Sequence, residues 1–223
     1  VAELIESFEI AEGMPVGVTF PAVIQHGVAK TAANVDKSWI DTDADALFTE
    51  RTAPGAMAIL QDAERGDLGV VTVNVNSKIV ARVMDQDAGA EIGRDWLAAR
   101  LRRALAMRER LFDAPFYRLV HAEADGLPGV VIDRFGDAAV IQPNAAWADR
   151  MLPDLAEALV EVTGVSTVVM NGSGRVRGLE GLDERTEVLT GAVPAPIEVP
   201  MNGATYLADL TGGQKTGLFY DQR

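Results

Sequence analysis

From Thr52 onward the hydrophobic and polar positions sharpen into a strand-like pattern. In GAMAILQDAERGDLGVVTVNVNSKIVARVMDQD the runs are short, rich in Val and Ile, and bounded by Asp, Gly and Asn, which is the pattern of a β-meander. It predicts strands over Gly55–Gln61, Leu68–Val75 and Lys78–Met84, with DAERGD as a turn. Such a series suggests a small barrel. The period then lengthens. AEIGRDWLAARLRRALAMRERLFD sets Trp96, Leu97, Leu101, Leu105, Arg108 and Leu111 at helical spacings, predicting an amphipathic helix of several turns. A strand over Tyr117–Glu123 follows, then a turn at DGLPG. Val130–Phe135 and Ala138–Gln142 form a hairpin whose Gly136-Asp137 link suits a II′ turn, glycine first. WADRMLPDLAEALVEVTG predicts a second helix with Gly164 at C′. VSTVVM, TEVLTG, IEVPMNG and TYLADL predict further strands, and NGSGRVRGLEGLDE between the first two reads as a glycine-rich loop. Helix, strands, helix, strands in that order is an α+β arrangement.

Residues 1–50 are less regular. MPVGVTFPAVI suggests short strands and DTDADALFTE a loop or a helical turn. The segment has only Lys30 and Lys37 as basic groups against nine acidic ones.

Composition narrows the classes of function. The 223 residues are 48 % hydrophobic, enough for a real core in one large domain or two small ones. No apolar run approaches the ~18–20 residues that span a bilayer, and the acidic start is unlike a signal peptide. There is no cysteine, so this chain offers no disulfide, thiolate metal site or cysteine nucleophile. A cytoplasmic setting is the default expectation. The net charge of −13 repels nucleic acid when the chain is taken as a whole, so RNA contact has to rest on a local basic patch. Six arginines lie between Arg94 and Arg110. At ~100° per residue they scatter around the predicted helix, which reads as a solvated face with i,i+4 pairs ahead of an RNA-binding helix.

Other candidate chemistry is sparse. The tail GGQKTGLFYDQR fails the phosphate-loop pattern, because Gln214 precedes Lys215 and Asp209 stands where the first glycine belongs. Gly172, Gly174, Arg175 and Arg177 could hold a phosphate through backbone N–H groups, but a surface loop explains them as well. His26 and His121 lie far apart with no second ligand four residues on, so no metal site is expected. Glu123, Asp125 and Asp133 flank turns, where carboxylates bond their own backbone. No catalytic residue is assigned within the chain.

YRLVHAEADGLPGVVIDRFGD, followed about eighty residues on by GGQKTGLFYDQR, resembles the S-adenosylmethionine-dependent methyltransferases that modify cytosine C5 in 23S ribosomal RNA. That family joins an N-terminal PUA domain, a small RNA-binding β-barrel, to a central α+β domain with a β-hairpin and then to a Rossmann-like methyltransferase domain. The resemblance covers about Pro54 to Arg223, and Asn74 to Val83 looks like the last PUA strands. It implies a PUA-like barrel over residues 1–88, with 1–50 atypical, a central α+β domain over 89–211, and residues 212–223 starting the link into a methyltransferase domain expected downstream. The chain is accordingly expected to be the RNA-docking and central part of the enzyme, not catalytic by itself. A free-standing PUA-like binding module is the alternative. Carried over by motif, Lys215, Thr216, Gly217, Tyr220, Asp221 and Arg223 would line the cofactor side, with S-adenosylmethionine bound tightly only in the intact enzyme. Lys78, Arg82, Arg118 and Arg134 would meet ribosomal RNA. A homodimer is left open, and the C-terminal segment is expected to fray.

Overall fold

A computed structural model of the chain describes residues 18–21, 34–36, 53–61, 66–74, 76–77, 79–193, 196–212, 218 and 220. It divides into two compact units. One comprises Val1–Glu91 with Leu179–Gly181, the other Ile92–Gly178 with Leu182–Arg223.

The first unit is a five-stranded sheet of β1 (Val18–Pro21), β2 (Asn34–Asp36), β3 (Ala56–Gln61), β4 (Asp67–Val73) and β5 (Ile79–Asp85), ordered β1-β3-β4-β5-β2. The meander is present as β3-β4-β5, paired antiparallel in sequence order. Val70, Val71 and Val73 are buried on its central strand, as a Val-rich run covered on both faces requires. The barrel is not. β1 joins β3 in parallel and β2 joins β5, so among the described residues β1 and β2 each have a single strand neighbour and the sheet is open. A buried polar cluster lies beneath its end. Asn74 Nδ2 donates to the Glu180 carbonyl and to Glu180 Oε2, both at 2.9 Å, and Arg82 pairs with Glu180 Oε1 at 3.1 Å.

The second unit begins with α1 (Arg94–Leu111) and β6 (Phe116–His121), followed by a 3-10 turn (Ala122–Asp125). Next come β7 (Val130–Phe135), β8 (Ala138–Pro143), α2 (Ala146–Arg150), α3 (Leu152–Thr163), β9 (Thr167–Asn171), α4 (Arg175–Leu179) and β10 (Thr186–Thr190). It closes with β11 (Ile197–Met201) and β12 (Ala204–Ala208). Its main sheet runs β10-β9-β8-β7-β6. β8 and β9 pair in parallel and the other neighbours antiparallel, because the crossover through α2 and α3 returns the chain in the same direction. β11 and β12 form a separate hairpin.

Local chemistry explains these elements. Gly136 has φ 67° and Asp137 does not share the positive sign, matching the glycine-first link. Gly164 caps α3 in the left-handed region at φ 70°. The helix predicted as one piece is two, since Pro153 sits in the first turn of α3, where its missing N–H costs nothing. The strand predicted to reach Glu123 stops at His121. Ala122 turns to φ 47°, and Asp125 Oδ2 accepts the His121 N–H at 2.7 Å. The predicted glycine-rich loop holds α4, and Arg177 within it is only 1 % exposed. Its guanidinium donates to the Pro143 carbonyl (2.6 Å), the Asp183 carbonyl (2.9 and 3.1 Å) and Asp149 Oδ1 (2.9 Å).

Candidate cofactor and nucleic-acid residues

The C-terminal motif starts where β12 ends. Asp209 Oδ1 accepts the backbone N–H groups of Gly212 (2.9 Å) and Thr211 (3.0 Å) and the Thr211 hydroxyl (3.2 Å). The Gly212 N–H, then that of Thr211, stabilises the carboxylate and holds it below its ordinary aspartate pKa. The chain tightens here because Asp-x-Thr offers side-chain acceptors to its own backbone. Leu210, within the turn, and Tyr220, beyond it, enter a cluster with Phe135, Val140, Val169, Val199 and Met201. The Tyr220 ring lies 5.2 Å from that of Phe135, tilted by 41°, and its hydroxyl donates to the Arg134 carbonyl at 2.8 Å. Tyr220 is therefore a core residue with a satisfied polar tip, rather than part of a frayed end. Lys215, Thr216, Gly217, Asp221 and Arg223 lie outside the described residues.

The cations expected to meet RNA are placed differently from one another. Lys78 lies outside the described residues. Arg82 is mostly buried against Glu180. Arg118 grips Asp133 through two bonds, 2.9 Å from Nε to Oδ1 and 3.3 Å from Nη2 to Oδ2, and Asp133 is fully buried. Arg134 donates to the carbonyls of Gly136 (3.1 Å) and Thr163 (3.2 Å). Arg118 stands opposite Asp133 across β6 and β7, and Tyr117 opposite Arg134. Neighbours along a strand face opposite ways, so Arg118 and Arg134 point to opposite faces of the sheet and do not form one track. All three described arginines serve internal bonds.

Sequence reasoning missed two arrangements. Asp125 is a hub as well as a turn residue, because its Oδ2 also accepts from Arg108 Nη2 at 2.6 Å and its carbonyl accepts from Arg103 at 3.2 Å. The arginines of α1 are also divided by their partners. Arg94 pairs with Glu157 (2.7 Å) and Glu161 (3.2 Å), and Arg102 with Glu161 (2.6 Å). The carboxylates come from α3, more than fifty residues on, where no local signal could reveal them.

No family model matches the chain. By sequence it is 38% identical over 151 residues to a Ribosomal RNA large subunit methyltransferase I of Aliivibrio fischeri, covering 66% of this chain and 38% of the relative. It is 32% identical over 188 residues to the protein of that name from Alteromonas mediterranea, covering 83% and 47%. The chain thus spans less than half the length of these curated relatives. In three dimensions it aligns at a TM-score of 0.68 and 16% identity with a chain described as a SAM-dependent methyltransferase from Streptococcus mutans, covering 86% of this chain and 47% of that one. A methyltransferase complexed with SAH aligns equally well, over 85% and 47%. Two expectations are thereby corrected. A barrel and central domain with the methyltransferase fold lying wholly downstream does not describe this chain, whose mixed parallel and antiparallel sheet is itself shared with solved methyltransferases. The reading as a non-catalytic docking fragment, or as a binding module without catalysis, gives way as well, since the relatives matching up to 83% of the chain are methyltransferases. By sequence the chain is similar to large-subunit ribosomal RNA methyltransferases, and its fold is one found in SAM-dependent methyltransferases.

Proposed function

We propose that the chain acts in the transfer of a methyl group from S-adenosylmethionine to large-subunit ribosomal RNA. The observation that carries this reading is the similarity to Ribosomal RNA large subunit methyltransferase I over as much as 83% of the chain. The fold shared with a methyltransferase complexed with SAH agrees with it. S-adenosylmethionine would supply a methyl group activated by its sulfonium charge. Of the six residues expected around it, the one with a described side chain, Tyr220, fits an anchoring role: it is 7% exposed and its hydroxyl is spent on Arg134. It fixes residue 220 itself against β7. Asp209, exposed and ionised, presents a carboxylate at the start of the same segment, the group suited to a ribose hydroxyl or an ammonium. Among the described residues no helix is long and apolar enough to cross a membrane.

Methylation at cytosine C5 is the finer reading. It uses a thiolate adding to C6, so that C5 becomes nucleophilic and later loses its proton to a base. The 223 residues contain no cysteine, so on this reading the thiolate is supplied from outside them, and the protein is assayed at its natural full length. The test is to incubate the protein with methyl-tritiated S-adenosylmethionine and large-subunit ribosomal RNA from cells lacking the modification, and then to identify labelled nucleosides by mass. Label in RNA above a no-protein control is expected. Absence of label with intact RNA would overturn the proposal, and label on a nucleoside other than 5-methylcytidine would overturn the finer one.

A further inference from the structure

The chain contains two Asn-Gly pairs, Asn171-Gly172 and Asn202-Gly203. Glycine has no Cβ, so its backbone nitrogen approaches the carboxamide of the preceding residue with the least steric hindrance. Asparagine in such a pair is thermolabile. The two pairs carry the same latent chemistry, and the structure treats them in opposite ways.

The first pair is locked. Asn171 ends β9 and is 5% exposed. Its Oδ1 accepts the Ser173 N–H at 3.1 Å and the Ser173 hydroxyl at 2.7 Å. The Gly172 N–H donates to the Arg185 carbonyl at 2.7 Å, just before β10 begins. Gly172 is buried, and a Cβ on it would stand 2.7 Å from Arg177 Nε and 2.9 Å from the Arg185 carbonyl oxygen. Its nitrogen is thus both engaged and tightly surrounded.

The second pair is open. Asn202 and Gly203 link β11 to β12, closed by Met201 opposite Ala204. Their φ values are 54° and 76°, the doubly left-handed turn that Asn-Gly suits. Both residues are exposed. A Cβ on Gly203 would meet nothing within 4 Å, and no described group accepts the Gly203 N–H.

We propose that Asn202 is a site of spontaneous deamidation and that Asn171 is protected from it. The Gly203 nitrogen attacks Cγ of Asn202 and forms a C–N bond in a cyclic succinimide. The carboxamide C–N bond breaks, and its nitrogen leaves as ammonia with the proton that Gly203 gives up. Water then adds to one of the two ring carbonyls and opens the ring. One opening leaves an aspartyl residue with the main chain unaltered. The other routes the main chain through Cβ and Cγ as an isoaspartyl link. Asp-Gly suits the same turn, so the first product keeps the hairpin and adds a negative charge. The second puts an extra backbone carbon into the short link that fixes the register of β11 on β12. That register places Val199, Met201 and Ala208 in the core cluster with Tyr220, so the isoaspartyl product loosens this packing.

The test incubates the folded protein in heavy-oxygen water at mildly alkaline pH, below its melting transition, and digests it in ordinary water. Mass spectrometry with fragmentation that separates aspartyl from isoaspartyl links then follows both peptides, and label counts only the deamidation that preceded digestion. Label should accumulate at Asn202 in both product forms. It should do so about tenfold or more faster than at Asn171, which reacts only after the Gly172–Arg185 bond opens. In urea the two pairs should convert at similar rates. Fully converted protein should melt below the Asn202→Asp variant, which has the aspartyl form alone. Label at Asn171 as fast as at Asn202 in the folded protein would overturn the proposal. So would an unlabelled Asn202 over a period in which the urea-unfolded chain converts it. Equal melting of the converted protein and Asn202→Asp would overturn the register argument.

Discussion

Replacing Tyr220 separates a structural from a cofactor-lining role for the C-terminal motif. The ring is 7% exposed and packs on Phe135 within the cluster formed by β7, β8, β9, β11 and β12. Removing a buried aromatic side chain costs about 3–5 kcal/mol through lost transfer energy and the cavity left behind. Tyr220→Phe keeps the ring and loses the hydroxyl bond to the Arg134 carbonyl, about 1 kcal/mol. For a protein of this size each kcal/mol moves the melting midpoint by roughly 2–4 °C. Tyr220→Ala should therefore lower it by roughly 10 °C, and Tyr220→Phe by about 3 °C. Scanning calorimetry is the appropriate assay, because the two compact units need not melt together and the transition that contains the β6–β10 sheet has to be followed by itself. If Tyr220→Ala melted within about 2 °C of the parent, the ring would not be part of the core. It would then be free to face a cofactor, and the packing argument would fail.

Gly191 has φ 73°, and a Cβ there would run into the Ser166 carbonyl oxygen and the Thr167 hydroxyl. Gly191→Ala should thus destabilise by about 2 kcal/mol or more, from the left-handed backbone and the backbone collision together, and a urea midpoint equal to the parent's would refute this. Asp209 has a folded-state pKa below the ordinary 3.8, so its bonds to Thr211 and Gly212 are present above the unfolded value and are lost as pH falls through the folded one. The amide shifts of Thr211 and Gly212 should accordingly titrate together with a midpoint below 3.8, and a midpoint at or above that value would count against the turn.

The parts of the fold that follow from neighbouring residues were legible in the sequence. Val70, Val71 and Val73 form a short β-branched run bounded by Asp67 and Asn74, which marks β4, and Gly136 and Gly164 announce a hairpin and a helix end through the backbone angles they permit. Contacts between distant segments were hidden. The strand order of the first sheet, open among the described residues, depends on β1 joining β3 in parallel, which no local period encodes. Arg177 sits in a stretch rich in glycine and charge, so it resembles a solvated loop. Its burial needs the Pro143 and Asp183 carbonyls and Asp149, which are gathered by β8, α2 and the return of the chain. The candidate RNA cations were chosen from strands, where facing carboxylates and carbonyls claim them. The arginines of α1 looked scattered because Glu157, Glu161 and Asp125, which hold Arg94, Arg102 and Arg108, lie on other elements.

Arg177 also sets a rule for substitution at its position. Its guanidinium serves two carbonyls and one carboxylate that lie in different directions, and it does so with almost no contact with water. A planar fork with five donors meets those directions at once, whereas an ammonium concentrates its three donors on a single atom at the end of a flexible stem. Lysine would carry the same charge and leave buried acceptors unanswered. What the fold demands at residue 177 is thus a shape more than a sign, and Arg and Lys, neighbours in any table of tolerated exchanges, are strangers here.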